Sequence, residues 1–347
     1  MNDSTAAAVA AADAPATEPA PPQSPGHRRA RRPRGRRVLL AALALLATGA
    51  LLAVGGVWWA YEHYTGRVDR IPGAFPTNVP KKDQPAPAKG GETYLLVGLD
   101  ARSDLPTTGR SAKAPQWKPG AQRSDTMMLV HLPEDRGAAY VISLPRDSWV
   151  PVRGHGDAKL NAAFSWGGPP LLIDTVQRLT DVRVDHLAVI DWSGFKRLTD
   201  AVGGVTVEGK EMNGEQALTY VRERKHLPRG DLDRTQRQQR FLKAVADRTM
   251  TPSNLSNPLK AKRLLDAVTA TVSVDDRLSD SDLRDLMWGM RNVRTSDMTF
   301  MNAPVGGLDT IKGQSVVLLD KNEADPLWEA MRNDTLDDYL AKHPPAN

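Results

Sequence analysis

Tyr94-Leu95-Leu96-Val97-Gly98-Leu99 is followed at once by Asp100-Ala101-Arg102. A short, unbroken apolar run that ends in charge is the pattern of a central strand buried on both faces. Residues 103–122 are a polar insertion rich in proline and glycine, and they read as a mobile loop. Thr126–Leu132 (TMMLVHL) and Ala138–Leu144 (AAYVISL) are two further strands, joined as a hairpin by the turn Pro133-Glu134-Asp135-Arg136-Gly137. His186–Asp191 (HLAVID) is another buried strand, preceded by a helix over 169–180 and followed by a short helix over Trp192–Val202, closed by Gly203-Gly204. Beyond Thr251 the pattern runs through helices at Leu259–Val268 and Asp280–Arg291. Strands at Met298–Asn302 and Ser315–Leu319 and a helix at Glu323–Arg332 follow. Strands alternating with helices predict an α/β fold, a central mixed β-sheet flanked by helices.

Upstream of this domain the composition changes three times. Residues 1–26 hold too few large apolar groups to build a core, and seven arginines fall between Arg28 and Arg37, so 1–37 reads as a disordered basic tail. Residues 38–60 carry no charge, are long enough to span a bilayer, and lead into the interfacial aromatics Trp58, Trp59 and Tyr61. The length of this run and the lack of a small-residue cleavage site speak for a signal-anchor over a cleaved signal peptide. Positive charge before the span places the N-terminus in the cytoplasm and the rest outside the cell membrane, as a single-pass protein. Residues 61–91 read as a proline-rich linker and 92–340 as the catalytic domain. The net charge of +5 is explained by the tail, so it carries no nucleic-acid signal. With no cysteine in the chain, thiolate chemistry and disulfides are excluded.

Charged residues cluster at the ends of the apolar strands. Asp100, Asp125 and Asp147 hold such positions, as do Arg102, Arg123, Arg146, Arg222 and Arg224, and open α/β sheets bind ligands outside strand ends. Carboxylates without cysteine suit a hard cation such as Mg2+. Arginines beside it supply the charge neutralisation that phosphoryl transfer needs.

The stretch Tyr220–Arg240, YVRERKHLPRGDLDRTQRQQR, adds a second source of guanidinium groups. Arg222 and Arg224 follow the run Ala217-Leu218-Thr219-Tyr220-Val221 and are expected on one face of a strand end. Pro228 and Gly230 force a loop, and Asp231 or Asp233 caps a helix on which Arg234, Arg237 and Gln238 share a face. The bland alternative is a solvated helix with salt bridges to Glu223, Asp231 and Asp233. Phosphate-loop, nucleophile-elbow and zinc-protease motifs are absent. Phe164-Ser165-Trp166 and Trp192 read as core or groove lining, and the apolar segments Leu171–Leu179 and Phe241–Val245 as walls of a groove or, more blandly, as packing for the core.

Seven ordered segments resemble the LytR-CpsA-Psr family of bacterial envelope phosphotransferases: YLLVGLDAR (94–102), RSDTMMLV (123–130), ISLPRDSWV (142–150), KLNAAF (159–164), AVGGV (201–205), ALTYVRER (217–224) and DLDRTQRQQRFLKAV (231–245). The resemblance implies an α/β/α sandwich outside the membrane. It also implies a Mg2+-dependent transferase that moves a glycopolymer from a polyprenyl (pyro)phosphate carrier to a peptidoglycan hydroxyl. Carried over segment by segment, Asp100 and Asp125 are the metal-side carboxylates. Arg123, Arg146, Arg222, Arg224, Arg234 and Gln238 are the diphosphate grip, with Arg146, Arg222, Arg224 and Arg234 catalytic. The chain departs from the family pattern at Asp233, where glycine is common, and in the long loop between Asp100 and Arg123. Two other readings stay open: a polyprenyl pyrophosphate phosphatase and a non-catalytic membrane-bound regulator.

Overall fold

The computed structural model describes residues 68–347 apart from 102–104, 116, 224–230, 250–257 and 345–347. The tail (1–37) and the apolar run 38–60 thus lie outside the described residues, among which no helix is long and apolar enough to cross a membrane.

In chain order the first strands are β1 (Asp69–Ile71), β2 (Glu92–Ala101), β3 (Gln122–Leu132), β4 (Ala139–Ser143), β5 (Trp149–Val152) and β6 (Gly156–Lys159). Helix α1 (Leu160–Thr180), β7 (His186–Asp191) and α2 (Trp192–Ala201) follow. The hairpin β8 (Val205–Val207) and β9 (Lys210–Met212) then leads into α3 (Gly214–Arg222) and α4 (Asp231–Thr249). The remainder is α5 (Pro258–Thr271), β10 (Val272–Asp275), α6 (Asp280–Gly289), β11 (Met298–Asn302), β12 (Val305–Ile311), β13 (Gln314–Leu319), α7 (Lys321–Asn333) and α8 (Leu336–Lys342). Seven strands form one mixed sheet in the order β1-β10-β7-β2-β3-β4-β11, and the other six make three two-stranded ribbons. The predicted fold class is met, and β2 sits at the centre, antiparallel to β3 and parallel to β7.

Alternation along β2 sorts the two faces of the sheet. Leu95, Val97 and Leu99 join Met127, Leu129 and Ile142 against Phe164, Leu172, Ile173 and Val176 of α1 and Leu327 and Met331 of α7. Each such side chain contributes about 1.5–3 kcal/mol when fully buried. On the opposite face, α2, α3 and α4 pack together with β8 through Phe195, Ala217, Val221, Phe241 and Val205. They do not close on the sheet, whose Leu96, Gly98, Thr126 and Met128 face Trp192, Phe195, Leu198, Val221, Phe241 and Leu242 across a cavity of about 210 Å³.

Four expectations change. Leu171–Leu179 does not wall a groove, because Leu172, Ile173 and Val176 are fully buried in the core on the other face; Phe241–Val245 does line the cavity. The helix expected over 169–180 begins earlier, at Leu160, and breaks at Gly168 (φ 65, ψ −156) before Pro169 and Pro170. Any side chain at that glycine would meet the Trp117 indole at 2.8 Å, so only glycine fits the break. The insertion expected to be mobile is tied down in part, as Thr107 and Thr108 are buried and bond to Asp191 and to the carbonyl of Thr271. Finally, the linker expected over 61–91 joins the fold from Asp69 onward: β1 pairs with β10, and Ile71, Ala74, Phe75 and Val79 are buried.

Candidate functional site at the ends of the central strands

The site is built where β2 ends, β3 begins and β4 gives way to a turn. The ladder passes from Gly98↔Thr126 to Leu99↔Ser124, which leaves Asp125 as the extra residue of a β-bulge. A bulge re-aims a side chain at a strand end, and here it places a buried carboxylate against the Arg146 guanidinium. Arg146 comes from the turn after Pro145, which cannot extend β4. The amides of Leu160 and Asn161, opening α1, donate to the carbonyls of Ser148 and Arg146 and so fix that turn. Arg146 Nε lies 3.6 Å from Asp147 Oδ2, and Lys159 Nζ lies 3.1 Å from Asp147 Oδ1. Two anions and two cations thus alternate along one rim.

A second charged group stands on the neighbouring strand. Asp100, about a third exposed, accepts a hydrogen bond from Trp192 Nε1 at 3.0 Å and lies 3.9 Å from Arg222 Nη2. Both contacts fall on Oδ1; among the described residues none is made to Oδ2. The Arg222 guanidinium carbon sits 5.6 Å from the Trp192 ring centroid, a cation–π arrangement. Trp192 opens α2, whose N-cap is Asp191, accepting from Gly194 N at 2.6 Å.

Arg222 does not belong to a strand end. Gly214–Arg222 is helical, started by a capping box in which Asn213 accepts from Gln216 N and the Gln216 side chain accepts from Asn213 N. The run Ala217–Val221 resembles a strand, but Ala217, Leu218 and Val221 recur at helical spacing and are the buried ones. Arg222 ends the helix, where a cation is favoured by the dipole. The one-face argument for Arg222 and Arg224 therefore fails, and Arg224 lies outside the described residues, as does Arg102.

The helix expected near Arg234 begins earlier, at Asp231, so Asp231 and Asp233 lie within it and do not cap it from outside. Gln239 of α4 donates to Ser143, Met301 and Asn302, which lays α4 across the ends of β4 and β11. Arg234 and Gln238, one turn apart, both face inward and are buried, and Gln238 reaches the cavity wall beside Thr126. Arg237 instead leans on the Tyr220 ring at 5.0 Å. Arg123 stands opposite Asp100 in the register, is exposed, and forms no ion pair among the described residues.

Trp192 was expected as core or groove lining and does line the cavity, but its bond to Asp100 and the place of Lys159 on the rim were not expected. An isolated tryptophan after a strand carries no signal beyond packing, whereas Lys159 stands at the head of KLNAAF and could have been found. Among the described residues no group of three His, Cys, Asp or Glu side chains converges as a metal cage. Asp100 and Asp125 are hard oxygen donors on adjacent strands, and among the described residues no contact is made to Oδ2 of the first. That set fits a Mg2+ ion that draws its other ligands from phosphate and water.

Over 291 residues the chain is 31% identical to "Cell wall biosynthesis protein LcpA" of Corynebacterium glutamicum, covering 70% of this chain and 56% of that protein. Over 217 residues it is 32% identical to "Polyisoprenyl-teichoic acid--peptidoglycan teichoic acid transferase TagU" of Halalkalibacterium halodurans, covering 58% of this chain and 64% of that one. The chain thus spans less than two thirds of either relative. Among solved structures, protein gbs0355 of Streptococcus agalactiae superposes with a TM-score of 0.60 at 26% identity, over 72% of this chain and 88% of that one. The model of the LytR_cpsA_psr family matches residues 73–333, from the first turn after β1 to the end of α7, and the chain belongs to that family.

Proposed function

We propose that this chain is an extracytoplasmic, membrane-anchored transferase of cell wall assembly. It moves a glycopolymer from a polyprenyl (pyro)phosphate carrier to a peptidoglycan hydroxyl. The observation that carries this reading is the junction of an apolar cavity with an arginine-lined rim: Trp192 and Gln238 line the cavity, while Asp100, Asp125 and Arg146 at the strand ends and Arg222 at the end of α3 stand beside it. A prenyl diphosphate needs both halves, hydrocarbon and anion, in one place. The membrane anchor rests on the apolar run 38–60 and its flanking arginines.

In the reaction, the acceptor hydroxyl oxygen bonds to the phosphorus that carries the polymer. The bond from that phosphorus to the bridging oxygen breaks, prenyl phosphate leaves, and the hydroxyl proton is released. Arg222, Arg234 and Arg146 neutralise the phosphate charge that shifts to the leaving group, and Arg123 and Gln238 orient it. Asp100 and Asp125 would hold the Mg2+, which supplies electrostatic stabilisation of the bridging oxygen. The test is transfer of a labelled polymer from its prenyl carrier to peptidoglycan fragments by the full chain in lipid nanodiscs. Transfer supports the reading; release to water alone assigns a phosphatase, and neither product assigns a non-catalytic role.

A further inference from the structure

We infer that Trp192 is a positioning residue that couples occupancy of the apolar cavity to the charged rim. Three separate contacts meet on this one indole. Its Nε1–H donates to Asp100 Oδ1 at 3.0 Å. Its face carries the Arg222 guanidinium at 5.6 Å. Its ring lines the cavity and meets Phe195 edge-on, with centroids 6.0 Å apart. Phe195 in turn lies against Phe241, at 4.3 Å between centroids, so the indole is braced by the aromatic wall of the same cavity.

The chemistry follows from what one rigid ring can do. A carboxylate at a strand end has free rotation about its Cβ–Cγ bond, and a single well-aimed N–H selects one orientation. With Oδ1 held by the indole, Oδ2 is the oxygen left for a cation. Arg222, half exposed and at a helix end, is confined over the ring rather than swinging in solvent. A hydrocarbon chain in the cavity presses on the indole edge and limits its rotation, which in turn holds Asp100 and Arg222 in place for the diphosphate. Asp191 and Gly194 keep the start of the helix from absorbing that push.

This inference rests on the prenyl carrier reading above, and its test separates the two. The full chain in nanodiscs is titrated with farnesyl pyrophosphate at a series of Mg2+ concentrations and with uncharged farnesol, for wild type and Trp192→Phe. Phenylalanine keeps an aromatic wall but has no N–H. The expected result is unchanged farnesol binding, about tenfold weaker farnesyl pyrophosphate binding, and a several-fold higher half-saturating Mg2+ concentration. A residue that only fills the wall would move farnesol and farnesyl pyrophosphate alike and leave the Mg2+ midpoint in place, which overturns the inference. So does wild-type behaviour of the variant in all three titrations. Trp192→Ala, which removes wall and donor together, is expected to weaken both ligands; an effect on farnesol alone again overturns the coupling. Failure of wild type to bind farnesyl pyrophosphate at any Mg2+ concentration defeats the carrier reading itself, and the coupling with it.

Discussion

The two ends of the central sheet both gather ionisable groups, yet they are wired differently. At the end where β2 starts, Asp275 accepts the amides of Leu187, Arg277 and Leu278 as well as His186 Nδ1. Asp185 accepts Thr93 N, and Asp334 accepts Glu134 N while meeting the buried His131 ring at 2.8 Å. At the end where β2 stops, the Asp100, Asp125 and Asp147 carboxylates meet side chains: an indole, two guanidiniums and an ammonium. Backbone donors are immovable and turn a carboxylate into a structural bolt. Side-chain cations can turn toward a ligand and away again, so the same residue types make a lock at one end and a site at the other.

The difference between the two ends should be largest at Asp275, which is fully buried. Asp275→Ala removes one partner of a buried pair and strands three amides. The expected cost in a denaturant titration is about 3–5 kcal/mol, with the activity of the remaining folded fraction unchanged. A loss below about 1 kcal/mol would remove the distinction between the ends.

Asp100→Asn and Asp125→Asn are expected to do the reverse. Turnover should fall by about 10²–10³-fold while the unfolding midpoint moves little. If either variant instead unfolds readily and keeps its turnover per folded molecule, that carboxylate is a bolt as well.

Arg222→Ala and Arg234→Ala should each weaken prenyl pyrophosphate binding about tenfold. Lysine at either position should fail to restore it, because an ammonium lacks the two-pronged fork. An equal, salt-sensitive loss on replacing the exposed Arg240 would point to a diffuse basic surface instead.

The structural end should also show in the pH dependence of stability. Burial opposes charge on His186, but the bond to and charge of Asp275, with Glu92 and Asp185 adding to it, hold its pKa above the ordinary value. Burial likewise opposes ionisation of Asp275, yet His186 and the amides of Leu187 and Arg277 hold its pKa low. The Asp275 contribution is complete above about pH 4 and is lost as pH falls through its lowered folded pKa. The His186 contribution is complete below about pH 6.5 and is lost as pH rises through its raised folded pKa. Melting temperature is therefore expected to peak between those limits, and His186→Gln should flatten the alkaline side. The smallest effect belongs to Arg240, whose pair with Glu208 is exposed on both sides: its alanine variant should change stability by about 0.5 kcal/mol or less.

Much of this architecture was legible in the residues. Leu95–Leu99, Met127–Val130 and Leu187–Ile190 are unbroken apolar runs, and two-faced burial leaves few other placements for them. Asp100, Asp125 and Arg146 were readable because a charge at the end of such a run has no core to enter. The helix at Gly214–Arg222 was not, since Ala217–Val221 satisfies strand and helix periods alike and the capping box of Asn213 and Gln216 breaks the tie. β1 was hidden for another reason: three residues among prolines carry no period, and only the edge offered by β10 makes them a strand. Trp192 was read as core or groove lining and no more, because what marks it further, its contacts with Asp100, Arg222 and Phe195, exists only in the folded chain.

The extra residue at Asp125 has a consequence for how this protein can change. Because the ladder skips one position there, the stretch Gln122–Thr126 works like a vernier set to a single notch. Removing one residue would straighten β3 and bring Ser124 or Thr126 to the rim in place of the carboxylate; adding one would turn the following side chains over. Point substitutions can tune this rim, whereas insertions and deletions at its base can only abolish it.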